Sequence, residues 1–471
     1  MIVWLERIRS TTDLSVHPTR NDVLRTARAA KLSPVMNTPH RILERLRSGL
    51  WFVPTLIVSG AVALALGLIE AEPAFGTGRL AQDWPRLFGA GAAGARGLLE
   101  SIAGSMITVA GVTFSITIVA LTLASTQYSP RILRNFMRDR ANQTVLGVFL
   151  GIYAYCLVVL RTIRGGDDDG LFVPSLAVLF GLGLAFVAIG FLIFFIHHVA
   201  TAIQATSILE AASAETLQAI DRLFPAELGQ AADASQRRDA AALAASAWVV
   251  VPARRSGFIQ SIDAKALLAF ARERNAIVRM ELAVGDFVIE AQPLVAVAGA
   301  AVDDAALRAL DKAFTIDRQR TIEQDPSFGI RQIVDIALKA LSPGINDTTT
   351  AVNSIDHLGV ILSRLAARRI ETDVRTDADA VRVLARGPSF ASLLAEAVDQ
   401  VRQNADANVA VLNRLLEVLG VVAQRTTDAG RRRLLREHAD LVIEVAERSV
   451  PAAADRAGIR ATRAQAFAAA S

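Results

Sequence analysis

Two sets of residues in this chain have types and spacings that could act on something dissolved in water. The first is a stripe of small and hydroxyl-bearing residues inside a long apolar stretch: Ser101, Gly104, Ser105, Thr108, Gly111, Ser115, Thr122 and Thr126. At roughly 100° per residue they fall within about a third of a helix circumference, while Met106, Ala110, Phe114 and Leu121 face away. Hydroxyls left against hydrocarbon would lack partners, so this face is expected to meet another helix or water. Gly104 with Thr108 and Gly111 with Ser115 have the small-xxx-small spacing that lets backbones approach, which is the packing reading; a water-filled pore lined by the hydroxyls is the other. The second set is Arg131, Arg134, Arg138 and Arg140. In an oligomer these would ring the inner end of a pore and favour anions; read more plainly, they are topology signals and anchors for lipid phosphate.

What is missing narrows the field. No ionisable residue lies inside the apolar runs, which weakens a proton or substrate relay more than a channel. No Ser-His-acid order, phosphate loop, HExxH or paired-carboxylate spacing appears, so no enzyme, and no catalytic, cofactor or metal residue, is expected. His197 and His198 are adjacent, and adjacent helical side chains diverge by about 100°, so an interfacial anchor or a pH-sensitive contact is expected rather than a metal pair. Asn346 and Asp347 precede Thr348, Thr349 and Thr350; such a start can hold an ion or phosphate, but capping of the following helix explains the same residues with less. Asp317, Arg318, Arg320, Glu323 and Asp325 read as a solvated face or an intersubunit salt-bridge network. The turn Val284-Gly285-Asp286-Phe287-Val288 is similar to one in biotinyl and lipoyl carrier domains, yet no lysine follows on Val295 to Ala301 to carry the group.

The elements that must position these residues are membrane helices. A chain of 471 residues with 52% hydrophobic residues exceeds one ordinary domain and the apolar content of soluble proteins. The excess lies between about Leu50 and Val199, in runs Leu50 to Ile69, Ile102 to Ala124, Val145 to Leu160 and Val173 to Ile196. The third is short and is expected to extend into its flanks. Arg41, Arg45 and Arg47 before the first run, and the Arg131 to Arg140 loop, argue for a cytoplasmic amino terminus and, after four spans, a cytoplasmic carboxyl terminus, with Asp167 to Asp169 outside. The single cysteine, Cys156, excludes an intrachain disulfide and a cysteine cluster and reads as a small buried hydrophobe. Arginines are spread without an aromatic-interleaved stripe, so no nucleic acid is expected as partner.

The fold class read from the chain is therefore a four-span α-helical membrane domain followed by a cytoplasmic α+β domain, with a small β-sandwich-like module and a helical bundle. The domain boundaries are 1–35, a disordered or mis-started extension ahead of Met36; 36–200, the four-span domain; 201–247, a helical linker continuing the fourth span toward Leu223; 248–300, the β-rich module; 301–450, the helical domain; and 451–471, a frayed Ala- and Arg-rich tail. Within the helical domain Pro343 and Gly344 end one helix and Asn346 or Asp347 caps the next. Long helices are expected over Phe390 to Arg425 and Gly430 to Val450.

The order and wording of several motifs resemble the predicted bacterial membrane proteins of domain of unknown function 2254. The matching stretches are RLRSGLWFVP at Arg45 to Pro54, SIAGSMITVAGVTFSITIVALTLAS from Ser101, QYSPRILRNFMRDR at Gln127 to Arg140, FIHHVATAIQ at 195–204 and ALSPGINDTTTA at Ala340 to Ala351. The resemblance implies a multi-span inner-membrane protein with a cytoplasmic domain and carries no activity with it. The expected function is an oligomeric channel-like pore with a cytoplasmic regulatory or assembly domain, its partners the lipid bilayer, further copies of the chain and small ions. The alternative is a non-conducting membrane scaffold or sensor that recruits cytoplasmic partners.

Overall fold

A computed structural model describes residues 51–72, 91–127, 139–164, 172–202, 204–224, 247–368, 370, 374–377 and 380–468. The chain divides into Met1–Phe52, of which only Trp51 and Phe52 are described, and Val53–Ser471. The extension at 1–35, the basic lead-in and Arg131, Arg134 and Arg138 lie outside the described residues.

Among the described residues four helices are long and apolar enough to cross a membrane: α1 (Phe52–Ala71), α2 (Ala92–Gln127), α3 (Arg140–Thr162) and α4 (Ser175–Ala202). Helix α2 starts ten residues before the expected span, because the Ala- and Leu-rich lead-in holds no proline and carries its two glycines, and its 36 residues make a rod of about 54 Å. Arg96 in this added stretch donates from Nη2 to the carbonyl of Ile163 at 2.8 Å, tying the start of α2 to the end of α3.

Helix α3 is the most enclosed span, because its glycines admit its neighbours. A Cβ on Gly147 would lie 2.8 Å from Ile57 Cδ1 and 3.0 Å from Pro54 Cα, so α1 packs there against bare backbone. Across from it Tyr155, fully buried, donates to the carbonyl of Ala177 at 2.7 Å, and Gly181 of α4 leaves room for the Tyr155 ring and Leu99. Glu72, buried just past α1, accepts from the Leu176 N–H and so serves the amino end of α4.

The fourth span does not run on to Leu223. Gln204 takes extended backbone and α5 (Ala205–Leu223) begins anew. Next come β1 (Val249–Pro252), β2 (Gly257–Ile262), α6 (Ala264–Glu273), β3 (Ile277–Met280), β4 (Phe287–Val288), β5 (Pro293–Ala298), α7 (Asp304–Ala313) and β6 (Phe314–Asp317). Helices α8 (Pro326–Leu341) and α9 (Thr348–Ala366) precede a hairpin of β7 (Val374–Asp377) and β8 (Ala380–Leu384). The chain closes with α10 (Phe390–Gln403), α11 (Val409–Gln424), α12 (Ala429–Ser449) and α13 (Ala453–Ala468).

The strands form a sheet of order β1-β5-β3-β8-β7 and a second of order β4-β2-β6, sharing one apolar core with α6 and α7. Among the described strands only β3 and β8 pair in parallel. The hairpin corrects the boundary at residue 300, since β8 crosses back from the helical region to lie beside β3. Two further expectations change. The helix expected over Phe390 to Arg425 is two helices, broken where Ala407 takes φ 58°. The tail is not frayed: α13 packs so closely on α11 that a Cβ on Gly420 would lie 2.6 Å from the Ala466 carbonyl. Helices α5 and α8–α13 enclose a second apolar core. Arg431 of α12 closes it at one end, donating to the carbonyls of Ala366 at the end of α9 and Arg368 just beyond it, and lying 5.0 Å over the Phe390 ring.

Candidate functional site

The stripe on α2 faces outward. Gly104, Thr108, Gly111, Ser115 and Thr122 are all exposed, while Ile102, Ala103, Met106 and Ala110 are buried on the side where α2 meets α3 and α4. A Cβ added at Gly104 or Gly111 would meet nothing within 4 Å. Phe114, expected to face away with Met106, is instead 47% exposed. The stripe therefore does not close the protomer's own four-helix core.

The expectation that these hydroxyls would lack partners is overturned. The hydroxyls do not need an outside partner, because each can return a hydrogen bond to its own helix. Ser105 donates to the Ser101 carbonyl and Thr108 to that of Gly104, both at 2.8 Å, and Thr122 donates to Ile118 at 2.9 Å. Thr113 and Thr117 do the same. What the face lacks at Ser105, Thr108 and Thr122 is packing, not hydrogen bonds.

At one end of the membrane helices, polar groups converge that sequence reading did not join. Asp139 caps α3, accepting from the Ala141 N–H at 2.9 Å, and its other oxygen lies 2.5 Å from His198 Nε2 near the end of α4. The His198 ring stacks on Phe194, whereas His197 is exposed. One turn along α3, Asn142 is 8% exposed and neither of its amide atoms has a hydrogen-bond partner. Arg140, the one described member of the arginine cluster, is exposed at the first turn of α3. An Asp just before an apolar helix is a capping signal that could have found Asp139; its pairing with His198, 59 residues away, has no local signature.

The mixed-charge run is not a solvated face throughout. Asp325 is 3% exposed, caps α8 through the Phe328 N–H and pairs with Arg320 at 2.7 Å, and Arg320 in turn lies over the Phe328 ring. Burial raises the Asp325 carboxyl above the usual carboxylate range against the opposing pull of Arg320. Gly285, at φ 92°, is where the β-region turn touches this pair: a Cβ there would sit 2.5 Å from Asp325 Oδ2. Gln324 extends the same joint by accepting from the Ile262 N–H.

Pro343, Gly344 and Asn346 occupy an exposed turn between α8 and α9, with Asn346 at φ 49°. Asp347 caps α9, accepting from the Thr350 N–H at 3.0 Å and its hydroxyl at 2.6 Å, and those hydrogen bonds hold its carboxyl below the usual range. Asn408, the cap of α11, donates to Thr348 Oγ1, so two helix starts meet here. With a carboxylate already at the α9 start, this end is not free for an anion. Among the described residues no group of three or more His, Cys, Asp or Glu is arranged to hold a metal ion.

The family model described as Predicted membrane protein (DUF2254) matches residues 47–420. Uncharacterized proteins of Mycobacterium tuberculosis strains CDC 1551 / Oshkosh and ATCC 25618 / H37Rv, and of Mycobacterium bovis, are each 34% identical over 440 residues, covering 92% of this chain and 82% of theirs. No solved structure matches the chain.

Proposed function

Since the chain belongs to the DUF2254 family of predicted membrane proteins, we propose that it is a non-enzymatic inner-membrane protein whose copies assemble through the small-residue face of α2 into a channel-like pore. The region after α4 is cytoplasmic in this reading and assembles or regulates the pore. One observation carries it. Gly104 and Gly111 expose open backbone on the outside of the protomer, where lipid gains less from contact than a second helix would. The bilayer, other copies and small ions are the partners; nucleic acid is not among them. The arginines at 131–140 flank the inner mouth and favour anions. Purified protein in liposomes should then pass chloride in preference to potassium, and exchange of Arg131 and Arg134 for Glu should reduce or reverse that preference. For the orientation, reporter fusions after Asp169 and after Ala211 should give opposite signals; equal signals contradict it.

The alternative, a non-conducting scaffold or sensor, is favoured by the hydroxyl back-bonds. Ser105, Thr108 and Thr122 already have partners, so this face can pack dry between copies without lining water. Absence of flux from an intact oligomer under every pH, voltage and tension applied selects the scaffold.

A further inference from the structure

The turn between α8 and α9 can be placed relative to the membrane by counting along helices. Helix α5 begins at Ala205, directly after α4 ends at Ala202. Farther along α5, Thr216 abuts Gly329 of α8, and Ala219 clusters with Phe328 and Ile322. Residue numbers rise on α5 as they fall on α8, so the two run antiparallel. Eleven residues separate Gly329 from Ala340 and eleven separate Thr216 from Ala205, about 16 Å of helix in both cases, so the end of α8 lies level with the start of α5. Helix α9 gives the same answer independently. Arg364 and Arg368 pair with Asp221 at the far end of α5; sixteen residues separate Arg364 from Thr348, as sixteen separate Asp221 from Ala205. The Asp139–His198 pair fixes the start of α3 at this same end of α4.

Held at that level is an exposed apolar tip. Ile345 is 45% exposed, flanked by exposed Pro343, Gly344 and Asn346. The turn is rigid: Ile345 and Asn346 donate to the Ser342 carbonyl and Asp347 to that of Ala340. Lys339 is exposed one turn earlier; of the carboxylates closest in the chain, Asp335 is paired with Arg331 and Asp347 is committed to Thr350. An isoleucine at the tip of a fixed turn, with a lysine beside it and no free acid, suits the headgroup layer of a bilayer, where apolar atoms leave water and the ammonium meets phosphate.

We infer that the turn at 342–347 rests on the membrane surface where α3 starts and α4 ends, with Ile345 inserted among the lipid headgroups. This requires only that α4 crosses the bilayer and does not depend on assembly through α2. The test uses the full chain in liposomes with Cys156→Ala, carrying a fluorophore at Ile345→Cys, Val360→Cys or Phe194→Cys in turn. Val360 is 53% exposed about 18 Å along α9, and Phe194 is 46% exposed on α4 itself. Lipids with a quencher at the headgroup should remove most emission from the Ile345 site and leave the Val360 site bright. Equal quenching at the two sites overturns the inference, as does disulfide trapping of Ile345→Cys between two copies, which would make the turn a protein contact. Lipids quenched in their acyl chains should darken the Phe194 site; if they do not, α4 is not in the bilayer and the inference falls with it.

Discussion

Glycines on neighbouring spans of this protein live in opposite surroundings. On α3 and α4, Gly147, Gly151 and Gly181 are pressed against Ile57, Ala61, Leu99 and Tyr155, and the protomer has closed over them. On α2, Gly104 and Gly111 have nothing above them. Small residues thus mark where a backbone is left bare, and only the fold tells which bare backbones are already covered. In α3 the covering helix is part of the chain, which explains why α3 is the most enclosed span; in α2 the proposed cover is another copy. The capping aspartates of α8 and α9 divide in the same way. Asp325 is buried against Arg320, while Asp347 lies near the surface and is served by Thr350.

The largest effect should come from the buried cap. Asp325→Ala leaves Arg320 without its counter-charge, and as Arg320 keeps about a quarter of its exposure a loss of about 3 kcal/mol, read from denaturant unfolding of the full protein, is expected. Loss below 1 kcal/mol would mean the pair is already solvated. Gly147→Leu should follow, destabilising the protomer by about 1–3 kcal/mol because Pro54 Cα is backbone and cannot give way. Asp347→Ala should remove about 1 kcal/mol as a lost cap.

The two aspartates also differ in sign with pH. The Asp347 carboxyl is lowered by its hydrogen bonds, so its contribution is present above the unfolded value and is lost as pH falls below about 4; Asp347→Asn should flatten stability in that acid window. The Asp325 carboxyl is raised, so its contribution is full below the unfolded value and is lost as pH rises through the folded one, an opposite slope. Smallest for the protomer is Gly111→Leu, within about 0.5 kcal/mol, yet it should abolish assembly. A fall in protomer stability like that of Gly147→Leu would erase the contrast between the spans.

Much of this was legible in the chain because it is written in local pattern. The four membrane-capable helices follow from apolar length, and the stripe of α2 from its period. What pairs over long separations was not legible. Nothing near Asp139 points to His198, and nothing near Val383 points to Val278, its partner across the parallel β3–β8 pairing. The break between α10 and α11 was hidden because Ala407 takes positive φ where glycine or asparagine would have signalled it. Asp325 looked solvated because the run around it is charged, while in space Gly285 and Phe328 enclose it with its counter-charge, Arg320.

The central claim, that the bare face of α2 meets α2 of another copy, is tested most directly by disulfide trapping in native membranes. With Cys156→Ala as background, Thr108→Cys lies on the exposed stripe and Met106→Cys on the buried side of the same helix. The account predicts oxidised dimers of the full chain from Thr108→Cys and none from Met106→Cys. No dimer from Thr108→Cys, Gly111→Cys or Ser115→Cys, with the protein correctly inserted, would contradict it.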